Sequence, residues 1–179
     1  MDSYAEQIVR KSDGGADSAK RAILLVGGVF LGLAVAVLGS IFGAFAVSSL
    51  IGVGILYGGI YLSANYDIEY EYLIVNGSID IDKIMSKKRR KPLISVSVSQ
   101  FESFGIYDAE KGTPSDMTIV SAEGDSKENQ RYYADFSHET YGKCRLIFTP
   151  DNNILREIKP YLKGQIRQVL NDLPEKEKY

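Results

Sequence analysis

The sequence predicts an α+β protein, in which a transmembrane helical hairpin is followed by an antiparallel β-barrel or β-sheet domain closed by a C-terminal amphipathic helix. Three observations lead to this class. Residues 22–64 contain no charged residue and no proline. Residues 68–148 contain several short alternating stretches that are typical of strands. After residue 149 the apolar period changes to that of a helix.

Composition limits the chemistry that the chain can perform. Its 179 residues carry 21 Lys and Arg against 23 Asp and Glu, a formal net charge of −2, which does not favour a nucleic-acid partner. Cys144 is the single cysteine and His138 the single histidine. A disulfide needs two cysteines, and a zinc site needs three or four ligands. We therefore expect no disulfide, no metal and no cofactor, and we interpret Cys144 as a packed side chain of a strand.

Residues 1–21 are predicted to be a cytoplasmic N-terminal segment with a short amphipathic helix. Ser3 and Glu6 have the spacing of a capping box. Tyr4 and Ile8 would share one face of such a helix. The alternative is a flexible tail, since terminal residues are often poorly ordered.

Residues 22–64 form the predicted two-helix transmembrane hairpin. The apolar run of 43 residues is too long for one span, because about 20 helical residues cross about 30 Å of hydrocarbon. We predict helices over about 22–41 and 45–64, with a reversal within 38–45, where glycine and serine permit a turn. A cleaved signal peptide is the alternative for the first helix, but its apolar core is usually shorter.

Four glycines predict how the two helices pack. They form two GxxxG pairs, which let transmembrane helices approach closely. In an antiparallel hairpin the two pairs would face each other at the same depth. The alternatives are a self-association surface and chance, since glycine is common in membrane helices. The predicted helix-packing residues are Gly28, Gly32, Gly54 and Gly58.

The distribution of lysine and arginine predicts the membrane topology. Cytoplasmic flanks of transmembrane helices are enriched in these residues, and the connection between the two predicted helices has no charge. We therefore expect a two-pass protein of the cell membrane with both termini in the cytoplasm. The basic residues that lead to this prediction are Arg10, Lys11, Lys20, Arg21 and the run at 87–91.

Residues 65–173 are predicted to form a cytoplasmic β-rich domain with a C-terminal helix, followed by a charged tail at 174–179. The domain begins with two alternating stretches on either side of Asn76-Gly77, a dipeptide that is typical of a hairpin turn. Further strands are predicted within 93–101, 103–107, 117–121, 130–137 and 143–149.

The domain ends in a predicted amphipathic helix. Thr149 is the expected N-cap and Pro150 the first helical residue, and Pro160 is expected to kink or divide the helix. An order of several antiparallel strands and one closing helix looks like a pleckstrin-homology-like (PH-like) barrel, although other antiparallel α+β folds share it. The apolar residues at helical spacing are Ile154, Ile158, Leu162, Ile166, Val169 and Leu173.

The full-length sequence resembles a family of two-pass bacterial membrane proteins that is known as a domain of unknown function. The resemblance implies the same layout, with a PH-like cytoplasmic domain, and it supplies no activity and no site residue. The pieces that carry it are YAEQIVRK (4–11), the uncharged hairpin, IEYEYLIVNGSIDIDKI (68–84), the basic run and IFTPDNNILREIKPYL (147–162).

The stretch SKKRRKP at 86–92 contains the candidate site. Each lysine or arginine close to an anionic cytoplasmic leaflet contributes about 1 kcal/mol to attachment. The run lies between two predicted strands, so we expect a loop that contacts the membrane surface. A specific lipid headgroup and a plain solvated loop are the alternatives. The predicted membrane-surface or lipid-binding residues are Lys87, Lys88, Arg89, Arg90 and Lys91.

The sequence contains no recognisable catalytic motif. Asp80 and Asp82 form a D-x-D pair, but their alternation with isoleucines is typical of the solvated face of a strand. His138 has none of the surroundings of a nucleophile motif. We therefore expect a non-catalytic, membrane-anchored cytoplasmic binding module that docks on the anionic membrane surface or on a protein partner. The alternative is a structural subunit of a membrane complex that assembles through the hairpin.

Overall fold

The computed structural model describes residues 3–11, 15–112, 114–124 and 129–171. The chain divides into two compact units, which we call the membrane unit and the sheet unit. The membrane unit comprises Asp13–Ile68 and Met85–Arg89. The sheet unit comprises Met1–Ser12, Glu69–Ile84 and Arg90–Tyr179. The predicted charged tail at 174–179 lies outside the described residues.

Two long apolar helices dominate the membrane unit, α1 (Gly15–Ile41) and α2 (Phe45–Ala64). The spans Ser18–Ile41 and Phe45–Ala64, with mean hydropathies of 2.6 and 1.8, are long and apolar enough to cross a membrane. The predicted reversal between them is confirmed. Gly43 has a φ of +71°, and the Ala44 N–H donates a 2.8 Å hydrogen bond to the Gly39 carbonyl.

Eight strands form two four-stranded sheets in the described part of the chain. The first sheet has the order β1-β2-β3-β4 and the second β5-β7-β8-β6. The strands of the first sheet are β1 (Tyr4–Arg10), β2 (Ile68–Val75), β3 (Ser78–Met85) and β4 (Arg89–Ser97). Those of the second are β5 (Ser103–Ile106), β6 (Thr118–Ala122), β7 (Tyr132–His138) and β8 (Gly142–Phe148).

The α+β class is confirmed, and the strands form open sheets, not a closed barrel. A short 3₁₀ helix, Val98–Gln100, separates β4 from β5. A single antiparallel β-bridge links Lys11, which follows β1, to Gly124, which follows β6. The prediction that every strand pair is antiparallel is wrong for β6, which pairs in parallel with β8.

The predicted N-terminal helix is wrong, because Tyr4–Arg10 is strand β1. It pairs antiparallel with β2 over its whole length, from Tyr4 opposite Val75 to Arg10 opposite Glu69. The sheet unit therefore begins before the hairpin and does not start at residue 65 as predicted. In chain order, α1 and α2 are an insertion between two hydrogen-bonded neighbouring strands.

Aromatic side chains from both sheets form the core of the sheet unit. Tyr72 of β2 meets Phe148 of β8 edge to face, with ring centroids 5.7 Å apart. Phe101 lies 5.9 Å from Phe136, again between ring centroids. All four side chains are buried. Burial raises the pKa of the Tyr72 hydroxyl to about 12, so this hydroxyl stays protonated at physiological pH.

The described part of the chain ends with helices α3 (Asn152–Ile158) and α4 (Gly164–Asn171), which are divided by a 3₁₀ turn that contains Pro160. The predicted division at this proline is confirmed. The N-cap is Asp151, whose carboxylate accepts a 2.8 Å hydrogen bond from the Ile154 N–H, so the prediction of Thr149 as N-cap is wrong. Thr149 is buried, and its hydroxyl accepts a 2.8 Å hydrogen bond from the Gly124 N–H.

Candidate membrane-surface site

Small residues allow α1 and α2 to approach closely. A Cβ atom added to Gly32 would lie 2.9 Å from the Gly52 carbonyl oxygen. One added to Gly59 would lie 2.8 Å from the Leu24 carbonyl oxygen, and one added to Gly28 would lie 3.6 Å from the Gly59 Cα. Gly28 and Gly32 therefore lie in the helix contact, as the sequence predicted. Larger side chains at Gly32 or Gly59 would separate the backbones.

Gly54 and Gly58 do not lie in this contact, so the prediction that they pack against α1 is wrong. A Cβ atom added to either glycine would meet no atom within 4 Å. Gly52 and Gly59 occupy the contact instead, because α2 turns a different face to α1 from the one that the GxxxG pattern indicated. The face of α2 with Gly54 and Gly58 is open.

Helix α1 begins and α2 ends at the same end of the hairpin. The Leu24 carbonyl of α1 lies beside Gly59 of α2, so these two residues are at the same level along the hairpin. Lys20 and Arg21 lie about one helical turn before Leu24, and Ala64 ends α2 a little more than one turn after Gly59. The basic side chains on this flank of α1 are therefore near the level at which α2 ends.

The basic run is divided between a turn and a strand. Ser86, Lys87 and Lys88 form the turn from β3 to β4, and the remaining basic residues, Arg89, Arg90 and Lys91, begin β4. The prediction of one continuous loop is therefore wrong for the last three. All five basic residues are exposed.

The β3–β4 turn is hydrogen-bonded to the end of α2. The Ser86 hydroxyl donates to the Ala64 carbonyl at 2.6 Å. The Ser86 N–H donates to the Asp67 carbonyl at 2.8 Å. Residues 85–89 consequently belong to the membrane unit together with the two helices. Sequence reasoning missed Ser86, since no local pattern links a serine to a helix end more than 20 residues earlier.

Arg90 has a different environment from the turn residues. Its guanidinium lies 2.8 Å from a carboxylate oxygen of Glu71, whose side chain is 8% exposed. Burial raises the pKa of the Glu71 carboxyl, Arg90 opposes this rise, and Glu6 adds to it. The pair forms part of the wall of an open pocket of about 390 Å³, whose lining residues are Tyr4, Glu6, Glu71, Leu73, Asp80, Asp82 and Arg90.

The remaining candidate residues have structural contacts. Asp80 accepts a hydrogen bond from the Ser95 hydroxyl, and with Asp82 it lines the cavity beside Glu71. His138 lies 4.9 Å from Tyr141 between ring centroids, in a stacked arrangement. Cys144 is fully buried in β8, and burial raises the pKa of its thiol. Burial and a raised pKa both lower the reactivity of a thiol.

Comparison with known families identifies this layout. A family described as "Bacterial PH-like domain (DUF6106)" matches residues 1–168. The chain belongs to this family. No curated protein and no solved structure matches this chain. The match includes β1 and the hairpin as well as the later strands, in agreement with the insertion of the hairpin into the sheet unit.

Two general statements about the protein are consistent with this membership. The two apolar helices fit a two-pass membrane arrangement, and a PH-like domain supports a role as a binding module. We call Lys87 and Lys88 of the β3–β4 turn, together with Arg89 at the start of β4, the basic turn. These three cations follow one another without an acidic residue.

Proposed function

We propose that the protein is a non-catalytic, membrane-anchored binding module whose basic turn docks on the anionic cytoplasmic surface of the cell membrane. The observation that carries this proposal is the attachment of the β3–β4 turn to the end of α2 through Ser86. A turn held at the end of a membrane-crossing helix has its cations close to lipid headgroups. Its partners are then membrane lipids, and a protein partner can bind the sheet unit.

The size of the expected attraction supports this role. Each lysine or arginine near an anionic leaflet contributes about 1 kcal/mol, so three turn cations supply about 3 kcal/mol of local lipid preference. Lys20 and Arg21 lie at the same end of the hairpin and add to the positive charge. The hairpin already keeps the turn at the bilayer, so the attraction selects which lipids surround it and is not needed for anchoring.

Both termini are proposed to be cytoplasmic, because the basic residues lie at one end of the hairpin and the Ser40–Ala44 turn at the other has no charge. We expect a cysteine at Phe42, which is 83% exposed, to react with a membrane-impermeant maleimide in intact cells. A cysteine at Ser99, an exposed residue of the Val98–Gln100 3₁₀ helix, should react only after lysis. Reaction of the Ser99→Cys variant in intact cells would overturn the topology.

The docking surface can be tested by lipid selection in the full-length protein. Spin-labelled phosphatidylglycerol and phosphatidylcholine report, by electron paramagnetic resonance in proteoliposomes, which lipid associates with the protein. We expect the parent to prefer the anionic lipid. Changing Lys87, Lys88 and Arg89 to glutamine should lower this preference on the order of 100-fold, since about 1 kcal/mol per cation is lost and about 1.4 kcal/mol corresponds to a factor of ten.

A matched control keeps the change in net charge constant. Glutamine at three exposed cations of the sheet unit, Lys143, Arg156 and Lys163, should leave the lipid preference of the parent unchanged. The preference of the parent should also fade as salt rises, because the Debye length falls from about 30 Å at 0.01 M to about 8 Å at 0.15 M. Equal lipid preference in the parent and the turn variant would refute docking.

A second candidate function is a structural subunit that assembles through the hairpin. The observation that favours it is the face of α2 with Gly54 and Gly58, where an added Cβ atom would meet no other described part of the chain within 4 Å. Small residues on a lipid-facing surface allow close approach of another membrane helix. Unchanged lipid preference in the turn variant would favour this second function over docking.

A further inference from the structure

The β3–β4 turn has a backbone conformation that its residues do not favour. Ser86 and Lys87 have φ values of +54° and +55°, and the Lys88 N–H donates to the Met85 carbonyl at 3.1 Å. The neighbouring β2–β3 turn has the same left-handed sign of φ but uses Asn76 and Gly77, the residues that tolerate it best. A serine and a lysine at such positions need a compensating interaction elsewhere.

The compensating interaction is the contact of Ser86 with the end of α2. The Ala64 carbonyl accepts hydrogen bonds from the Ser86 hydroxyl at 2.6 Å and from the Asp67 N–H at 3.1 Å. The Asp67 carbonyl accepts from the Ser86 N–H at 2.8 Å. The last carbonyls of a helix have no partner within it, so Ser86 supplies a cap from a distant part of the chain. Glycine would fit the backbone better, but it has no hydroxyl to donate.

The position of this cap fixes the depth of the turn in a bilayer. Helix α2 has 20 residues, and at about 1.5 Å per residue it spans about the 30 Å of a hydrocarbon core. Ala64 therefore ends the helix near the boundary between hydrocarbon and headgroups. Tyr57 and Tyr61, which are exposed in the last two turns, are residues that favour this interface. Lys87 and Lys88 follow Ser86 directly and so lie at headgroup level.

We propose that Ser86 is a positioning residue that holds Lys87, Lys88 and Arg89 at the depth of the phosphate groups of anionic phospholipids. This inference rests on the proposed docking function and divides the basic run into two parts. The three cations of the membrane unit bind lipid phosphate. Arg90 forms an ion pair with Glu71 within the sheet unit and is not part of the lipid site.

The chain contains no tryptophan, so a single introduced tryptophan reports on the turn without background. In full-length protein carrying Met85→Trp, reconstituted in vesicles with anionic lipid, we expect quenching by lipids brominated near the headgroup and protection from acrylamide in the water. Adding Ser86→Ala should shift the emission to longer wavelength and remove most of the protection from acrylamide. Ser86→Gly should do the same, because it also lacks the hydroxyl, although it relieves the backbone.

Controls separate this inference from the docking function. Ser97→Ala removes a half-buried hydroxyl of β4 that lies 2.8 Å from the Ser99 hydroxyl, and it should leave the tryptophan signal unchanged. Glutamine at Lys87, Lys88 and Arg89 should remove the lipid preference but keep the tryptophan at its parent depth, since Ser86 still caps α2. If Ser86→Ala and Ser86→Gly both keep the parent depth, Ser86 does not position the turn, even where lipid selection supports docking. If the two Ser86 variants move the tryptophan but the parent shows no preference for anionic lipid, Ser86 positions the turn and the proposed docking function is wrong.

Discussion

Deleting residues 1–11 is expected to unfold the sheet unit, although these residues precede the hairpin. Strand β1 pairs with β2 at seven positions, and Ala5 is buried. The Gln7 amide donates to the Thr149 carbonyl at 3.2 Å and accepts from the Asp151 N–H at 2.8 Å. The deletion removes several hydrogen bonds, at about 1 kcal/mol each, and also removes buried apolar surface. The total loss is comparable to the free energy of unfolding of a whole domain, about 5–15 kcal/mol.

The matching variant keeps β1 and removes the hairpin. Arg10 lies opposite Glu69, so Lys11 and Ile68 can be joined by a two-residue Asn-Gly turn in place of residues 12–67. We expect this chain to be soluble and to melt in one cooperative transition, followed by circular dichroism. A chain that starts at residue 68 should show no such transition. Equal melting of the two chains would show that β1 does not contribute to the fold.

The error over β1 has a physical origin. The inward face of this strand carries Ala5, Gln7 and Val9, and a glutamine in the middle conceals the period of two. Tyr4 and Ile8, at a helical spacing, lie on the outward face and are exposed. The partner strand lies some 60 residues away, beyond the insertion. Local pattern alone therefore favoured a helix, and pairing with β2 decided the outcome.

The hairpin was predictable because one property decides it. A continuous apolar run without charges, long enough for two spans, satisfies its backbone hydrogen bonds in a bilayer as helices, and Gly43 supplies the reversal. The rotation of α2 about its axis was not predictable. GxxxG spacing applied to Gly54 and Gly58, yet contact geometry with α1 selected Gly52 and Gly59, which no sequence motif pairs.

The candidate site was likewise predictable only in part. Five consecutive basic residues stand out in any sequence, and their exposure follows from their charge. The partners that distinguish them depend on tertiary structure. Ser86 contacts the end of α2, 22 residues earlier. Arg90 of β4 contacts Glu71 of β2, 19 residues earlier. The sequence alone does not separate the cations next to Ser86 from Arg90, which pairs with Glu71, because the contacts depend on how the strands are arranged.

The ion pair between Asp135 and Arg145 is expected to be the most sensitive polar contact of the second sheet. Two short hydrogen bonds join them, from Arg145 Nε at 2.6 Å and from Arg145 Nη2 at 2.7 Å to the two carboxylate oxygens. Their side chains are only 9% and 13% exposed. Asp135 raises the pKa of the Arg145 guanidinium, and the Tyr133 ring lies 4.6 Å from the guanidinium carbon.

Replacing Asp135 with alanine should lower the free energy of unfolding by about 3–5 kcal/mol, because an arginine that cannot lose its charge stays buried without a partner. Urea unfolding of the full-length protein in detergent, followed through the near-ultraviolet dichroism of its tyrosines, measures this loss. The double variant Asp135→Leu with Arg145→Met should recover much of it, since two apolar groups of similar size leave no buried charge.

An exposed pair on the same sheet unit supplies the control for this prediction. Lys143 and Asp116 lie 3.3 Å apart with side chains 61% and 62% exposed, and surface pairs contribute about 0–1 kcal/mol. Asp116→Ala should therefore change the unfolding free energy by less than about 0.5 kcal/mol. If Asp135→Ala is as mild as Asp116→Ala, water reaches Arg145 in the folded state and the burial of the pair is not what stabilises the second sheet. A large loss with no recovery in the double variant would assign the effect to the hydrogen-bond geometry and not to the unpaired charge.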